Sequence, residues 1–303
     1  ALDAVTQAIE ELGYAPNAVA QSMRTQTTRA IGLVVNDISN PLFSGIARSL
    51  DEVLHASGYS LLIANTDNDP RREQLIIDSL KQRRIDGLAI AVSDETNDRT
   101  TKLLRSVEFP VVLLDRELEI PADKVCDDHS KGMKKAVRYL FDLGHRDIAL
   151  ITGGNDVRPG RERAQGFLEA FREGGIAIEE GRLRQGRLDS SFGYEEACVL
   201  LKETPRPTAL IAGGNQILAG VLRALRQLDI RIPTDLSLIS CDEIDLTALM
   251  NPPITVITRE IRRIGKITAE LLLRRIAGQP TDEYSRQIVP TELLVRESCA
   301  RLG

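Results

Sequence analysis

From Ala30 onward the chain alternates short, almost uninterrupted apolar runs with amphipathic stretches. The runs are AIGLVV (30–35), YSLLIA (59–64), DGLAIAV (86–92), PVVLL (110–114), DIALIT (147–152), TALIA (208–212), LSLIS (236–240) and ITVIT (254–258). Between most of them lie segments with helical spacing, such as LFSGIARSLDEVLHASG and QILAGVLRALRQLD. Strands apolar at nearly every position and joined by helices predict parallel sheets covered on both faces. So many strands strain a single doubly wound sheet, and the alternation pauses at EIPADKVCDDHS (119–130). Two similar halves are therefore predicted, with the passage between them at the pause. The final stretch, DEYSRQIVPTELLVRES (282–298), is strand-like and is expected to complete a sheet.

Ahead of this pattern, LDAVTQAIEELGY puts Leu2, Val5, Ile9 and Leu12 on one helical face and stops at Gly13. A helix this short must bury its stripe against something. It reads as the last helix of a small domain whose beginning is missing, the alternative being a helix packed on the main body. YAPNAVAQSMRT (14–25) follows, a proline-led segment long enough for only a turn or two of helix.

Composition sharpens the picture in three places. A length of 303 residues favours two domains, and the lack of tryptophan fits an aliphatic α/β core. A net charge of −5 means that the body as a whole repels nucleic acid, so any such contact must be local. Cys126, Cys198, Cys241 and Cys299 lie far apart without a CxxC pair, which predicts reduced thiols and a cytoplasmic protein. No apolar run reaches the ~18–20 residues that span a membrane. No leader is visible, in a chain that begins at Ala1.

Ligands of parallel α/β sheets bind beyond the carboxyl ends of the strands. After successive runs stand Asn36 and Asp37, Asn65 and Asp67, Ser93, then Asp115 and Arg116; in the other half come Asn155, Asn215 and Asp242. Singly, each also makes sense as a helix cap or turn residue. Together they would line a cleft with carboxylates, amides and guanidinium groups, which suits a hydroxyl-rich ligand. Phe43 could cover one face of a ring, or belong to the core. GGNDVRPGRERAQGF (153–167) carries Arg158, Arg161 and Arg163 at a strand-to-helix corner, where with Arg116 they could take a carboxylate or phosphate. Arg163, four residues before Phe167, is expected to point inward. The glycines match neither a P-loop nor GxGxxG, and His55, His129 and His145 have no metal spacing. With no GxSxG elbow either, no catalytic residue, metal or cofactor is predicted, and the chain does not read as an enzyme.

AIEELGYAPNAVAQSMRTQTTRAIGLVVNDISNPLF resembles the junction between DNA-binding headpiece and regulatory core in the lactose-repressor/galactose-repressor (LacI/GalR) family. The likeness continues through RRIDGLAI, PVVLLDR, YLFDLGHRDIALITG, RERAQGF, RPTALIAGGN, RIPTDLSLISCDEID and PPITVI, in the family's order. The resemblance implies an α/β fold of two doubly wound parallel-sheet subdomains, periplasmic-binding-protein-like, joined by three crossovers. Residues 1–14 would be the last headpiece helix and 15–28 the hinge. Residues 29–127 plus 260–286 would form one subdomain, and 128–259 plus 287–303 the other. PNAVAQSM would then be a hinge helix touching operator DNA through Asn17, Ala18, Ala20, Gln21 and Met23, with Met23 in place of the family's leucine wedge. That helix is expected to order only on DNA, in a homodimer. The resemblance places Leu42, Phe43, Arg163, Asn215 and Asp242 in the effector site, with Leu188 where an aromatic residue is common. Asn215 stands where Asp is common. The expected function is a transcriptional repressor controlled by a small polar effector, a sugar or a sugar acid; the less aromatic, more basic pocket points toward the acid. The alternative is a periplasmic-type sugar-binding protein for transport, which would have no use for residues 1–28.

Overall fold

The computed structural model describes residues 27–279 and 283–302; the expected headpiece helix and the hinge residues Asn17, Ala18, Ala20, Gln21 and Met23 lie outside them. The first lobe runs β1 (Ala30–Val35), α1 (Pro41–Ala56), β2 (Ser60–Asn65), α2 (Pro70–Gln82), β3 (Gly87–Ile90), α3 (Asp98–Arg105), β4 (Val111–Leu114) and β5 (Asp123–Asp127). The second runs α4 (His129–Asp142), β6 (Ile148–Gly153), α5 (Arg158–Gly174), β7 (Leu183–Gly186), α6 (Ser190–Leu200), β8 (Ala209–Ala212), α7 (Asn215–Gln227), β9 (Ser237–Cys241), α8 (Asp245–Leu249) and β10 (Thr255–Arg259). The chain then returns to the first lobe for α9 (Ile261–Ile276) and β11 (Arg286–Val289), and closes in the second with β12 (Thr291–Leu294).

Local chemistry explains the elements. The α1 helix begins where Asn40 accepts the amide of Leu42 at 3.0 Å and Pro41 presets the first turn. Its Leu42, Phe43, Ile46, Leu50 and Leu54 recur at helical spacing and are all buried against the sheet. The central strands β3, β4 and β8 are buried at every residue, as their unbroken apolar runs require.

The two sheets are wound alike. One has the order β11-β5-β4-β3-β1-β2, the other β12-β10-β9-β8-β6-β7. Every pairing is parallel except β12 against β10. In each sheet the strand order reverses beside the first strand, between β1 and β3 and between β6 and β8. That reversal opens a crevice at the carboxyl edge. Two of the three crossovers follow β5 and β10 directly, and the third is Pro290 between β11 and β12.

The third crossover corrects the expected boundary at 286/287. β11 continues to Val289, pairing in register with β5 from Arg286↔Lys124 to Val289↔Asp127. Val289 is buried in the first lobe's core, so the tail of the second lobe starts after Pro290. Upstream, Asp123 grips the return: Arg275 donates Nε and an Nη to its two oxygens at 2.9 Å each, and the amide of Ser285 adds a third bond at 2.6 Å.

Glycines set the closest helix contacts. At Gly220 of α7, a Cβ would overlap the carbonyl oxygen of Ser190 and stand 2.5 Å from the amide nitrogen of Tyr194 on α6. Both are backbone atoms and cannot swing aside. Gly220→Ala is therefore expected to destabilise the chain by ~1–3 kcal/mol. Urea unfolding checks this, and an unchanged midpoint would mean that the helices part without cost.

Candidate ligand site between the lobes

The carboxyl edges of the two sheets face each other across a cleft of about 730 Å³, including its mouth open to solvent. Its walls come from the strand ends and the first helical turns that follow. From the first lobe, Leu42 and Phe43 sit in the opening turn of α1, 8% and 7% exposed, and supply the apolar face. Asp115 follows β4 and Asp242 follows β9, the fourth strand of each lobe. Both take left-handed backbone conformations, φ 52 and φ 73, which aspartate tolerates better than most side chains.

Arg259, at the end of β10, joins these aspartates. Its Nη1 bonds Asp127 at 2.9 Å and reaches Asp115 at 3.3 Å, while its Nη2 meets Asp242 at 2.7 Å. One buried guanidinium thus bridges two carboxylates of the first lobe and one of the second. Arg158 adds Nη1 to Asp115 and to the carbonyl of Asp127, both at 2.9 Å, and the ring of His129 bonds Asp115 at 2.7 Å. Arg163 donates to the carbonyl of Gly213 at 2.6 Å and stands 3.7 Å from Asp242. Arg116 donates to the carbonyls of Val92 at 2.6 Å and Asp115 at 2.9 Å; it is 4% exposed and no described carboxylate lies within 4.0 Å of it.

Of the nine effector positions expected from the sequence, eight line the cleft: Leu42, Phe43, Asp115, Arg116, Arg163, Leu188, Asn215 and Asp242. Arg158 does not. It is 2% exposed at the start of α5, where its guanidinium is spent on Asp115 and Glu162 behind the wall. Arg161 pairs at the rim with Glu95 at 2.5 Å. Asn215 lines the cleft but directs its amide to Asn40 across the lobes at 2.8 Å, beside Gln216 to Asp37 at 3.0 Å. Asn36 and Asp37 also reach the cleft, whereas Asn65, Asp67, Ser93 and Asn155 are not among its walls. Asn65 accepts the amide of Ile38, and Ser93 is held by the buried Glu73. Sequence reasoning missed Arg259, Asp127 and Pro159 as wall residues.

The oxygens and ring nitrogen of Asp115, Asp127 and His129 lie within 4.8 Å of one another, close enough to hold a metal ion. Arg259 bonds both carboxylates and Arg158 that of Asp115, so guanidinium groups supply the positive charge there. The arrangement is an ion-pair network rather than a metal cradle. Polar atoms remain for a ligand: Arg163 Nε, Arg259 Nε and Asp127 Oδ1 are buried without a hydrogen-bond partner.

Burial alone would raise the carboxyl of Asp115, but His129, Arg259 and Arg158 hold it well below the usual range. Burial pushes Asp127 up to about 7 against the pull of Arg259. His129 is pushed down to about 4 by burial, against Asp115, so its neutral ring donates to that carboxylate.

Two lobes that present charged and amide groups from matching strand ends to one shared cleft define a binding protein of the periplasmic type. A periplasmic binding protein-like domain accordingly matches residues 137–299. The HTH-type transcriptional repressor PurR of Vibrio vulnificus is 32% identical over 300 residues, covering 99% of this chain and 90% of that protein. A LacI family transcriptional regulator of Enterococcus faecium with bound ribose is 28% identical with a TM-score of 0.78, covering 90% of this chain and 100% of that one. The lac repressor dimer bound to operator and the anti-inducer ONPF superposes with a TM-score of 0.85 at 24% identity, covering 98% of this chain and 89% of that one, a likeness of fold. The chain belongs to the lactose-repressor/galactose-repressor family of transcriptional regulators, which are not enzymes. No helix among the described residues is long and apolar enough to cross a membrane.

Asp127 and His129 give opposite pH dependences. Asp127 releases its proton near 7 when folded and near 3.8 when unfolded. The folded chain holds the extra proton in between, so this contribution to stability is lost as pH rises through that window. His129 titrates near 4 folded and 6.5 unfolded, so its contribution is lost as pH falls through its own window. Between 4 and 6.5 the two largely cancel. Asp127→Asn removes one side, and stability of that variant is expected to fall on acidification more steeply than wild type, by on the order of 1 kcal/mol per pH unit. Urea midpoints measured between pH 6.5 and 4.5 check it; parallel curves would mean that Asp127 stays charged.

Proposed function

We propose that the protein is a transcriptional repressor whose hold on operator DNA is set by a neutral, hydroxyl-rich sugar bound between its lobes. One observation carries the choice of ligand: the guanidinium groups of the cleft are already engaged by the protein's own carboxylates and carbonyls. Asp37, Asp115, Asp127 and Asp242 line it with Arg116, Arg163 and Arg259, and Arg158 stands behind the wall against Asp115. A neutral polyol adds no charge to this balance. Its hydroxyls can each donate to a carboxylate and accept from a guanidinium, as the unpartnered Arg163 Nε and Asp127 Oδ1 require. Phe43 covers a ring face beside them. The ribose bound by the Enterococcus faecium regulator supports this class of ligand. The effector residues are Leu42, Phe43, Asp115, Arg116, Arg163, Leu188, Asn215 and Asp242, to which Asp127 and Arg259 are added.

A sugar acid is the second reading, favoured by Arg116, whose guanidinium faces the cleft without a described carboxylate within 4.0 Å. It would bring an unmatched negative charge among four aspartates, which ranks it below the neutral sugar. The acting unit is a homodimer whose DNA contacts come from the segment ahead of residue 27; the lac repressor whose fold it shares is a dimer bound to operator. A transport role is disfavoured by the regulators among its relatives.

Thermal-shift and calorimetric screening of pentoses and hexoses beside their aldonic and uronic acids decides between the readings. Neutral sugars are expected to stabilise the protein and the acids to do little; stabilisation by acids alone would reverse the ranking. Arg163→Ala is expected to weaken binding of the responding sugar by about tenfold or more, since a charged donor is lost from a buried site. Equal affinity in the variant would remove Arg163 from the site.

A further inference from the structure

At the opposite end of the first sheet from the cleft, the chain turns sharply before it enters β1. Arg29 there is left-handed, φ 53, a conformation that a long side chain keeps only where its surroundings hold it. The holder is Asp86, which immediately precedes β3. Its two carboxylate oxygens accept consecutive backbone amides, Thr28 N at 3.0 Å and Arg29 N at 2.9 Å. The hydroxyl of Thr28 donates to the carbonyl of Arg84 at 2.8 Å. The amide of Asp86 donates to the carbonyl of Ala30, and the carbonyl of Arg29 accepts the amide of Ser60, both at 2.8 Å. The guanidinium of Arg29 lies over the ring of Tyr59, 5.0 Å from its centre. The Asp86 carboxylate thus ties the start of the described chain to the head of β3, and backbone bonds join the same turn to β1 and β2.

The strands that leave this clamp end at the ligand cleft. β1 leads to Asn36 and Asp37, and β3 to Ala91, all of them wall residues. The two strands are paired in register from Ile31↔Gly87 to Val34↔Ile90, so they move as one rod of roughly 20 Å. A tilt of these strands at the cleft would therefore carry Asp86 with it. Asp86 itself lines no part of the cleft.

We propose that Asp86 is a positioning residue for DNA binding, fixing the direction in which the segment ahead of residue 27 leaves the first lobe. The proposal rests on the repressor reading above. Without the carboxylate the two amides lose their acceptor and Arg29 relaxes from its left-handed turn, while the lobe's buried core is untouched.

The test compares the wild-type chain, carrying its complete DNA-binding segment, with Asp86→Ala and with the milder Asp86→Asn, which keeps one acceptor oxygen. Trypsin cleavage at the Arg29–Ala30 bond is followed by mass spectrometry. Binding is measured to a DNA duplex that the wild type selects from a random pool. Asp86→Ala is expected to speed cleavage and weaken DNA binding about tenfold each, with Asp86→Asn between, and to leave the thermal midpoint of the core in place. Faster cleavage with unchanged DNA affinity overturns the proposal, because the turn would then hold nothing that DNA binding uses. A fall in DNA affinity only in step with the thermal midpoint in both variants overturns it as well, since Asp86 would be merely structural. If the wild type selects no duplex, the repressor reading fails first and the proposal falls with it, whatever the cleavage rates show.

Discussion

The guanidinium of Arg259 is the constraint around which both lobes are arranged. It bridges Asp115 and Asp127 of the first lobe and Asp242 of the second from a residue 5% exposed in its side chain. Burying any one of these charges alone would cost several kcal/mol. The cost is met only when the lobes come together and each carboxylate finds its partner. The two left-handed aspartates are part of the same solution: a conformation that is unfavourable by about 1–2 kcal/mol for most residues aims each carboxylate at a common point. The network therefore specifies how the lobes meet more than it adds to their stability.

Matched winding explains why the common point lies in a cleft. Each sheet reverses its strand order beside its first strand, and each crevice opens toward the other lobe. Functional groups are consequently delivered from both lobes to one place: Asp37 and Asn40 after β1 meet Gln216 and Asn215 after β8, and Asp115 after β4 is joined through Arg259 to Asp242 after β9, its counterpart in the other lobe. Small residues are needed where helices begin on these corners. A Cβ on Gly213 would stand 2.5 Å from Thr152, and one on Gly153 would stand 2.8 Å from Leu188, so the glycines keep the corner close enough for its carbonyl to take Arg163.

Much of this was legible in the sequence, and the omissions share a physical cause. Strands buried on both faces advertise themselves as apolar runs, and the polar residues after them proved to be cleft walls in Asn36, Asp37, Asp115, Arg116, Asn215 and Asp242. Arg163 was reachable from its spacing to Phe167. β5 was taken for a pause because DKVCD begins and ends in aspartate; Arg275 neutralises one and Arg259 the other, partners far away in sequence. β7, LRQG, is an edge strand and half-buried throughout, so it carries no apolar run. Arg259 was hidden at the head of the charged stretch REIRR, where a helix's solvated face looks the same as a buried ion pair. Arg158 failed in the other direction: an arginine at a strand-to-helix corner can serve a ligand or a carboxylate of the other lobe, and only the packing chooses.

Direct contacts between the lobes flank the cleft, and they shape what a ligand can do. On one rim Glu95 takes the amide of Arg158 at 2.7 Å and the guanidinium of Arg161; on the other Asn40 and Asp37 take Asn215 and Gln216. Part of the hold between the lobes thus comes from the protein's own bonds, which water can also supply. A ligand shifts an equilibrium between two arrangements only by the difference in its contacts with them. In this cleft Arg163 and Asp242 of one lobe and Asp115, Asp127 and Phe43 of the other line one space, so a molecule touching all of them would favour the arrangement in which the lobes meet. Because Arg259 already joins those carboxylates near the chain crossings, the network fixes the point at which the two lobes are held together. The first sheet, with β1 paired in register to β2 and β3, is the element that spans from the cleft to the start of β1.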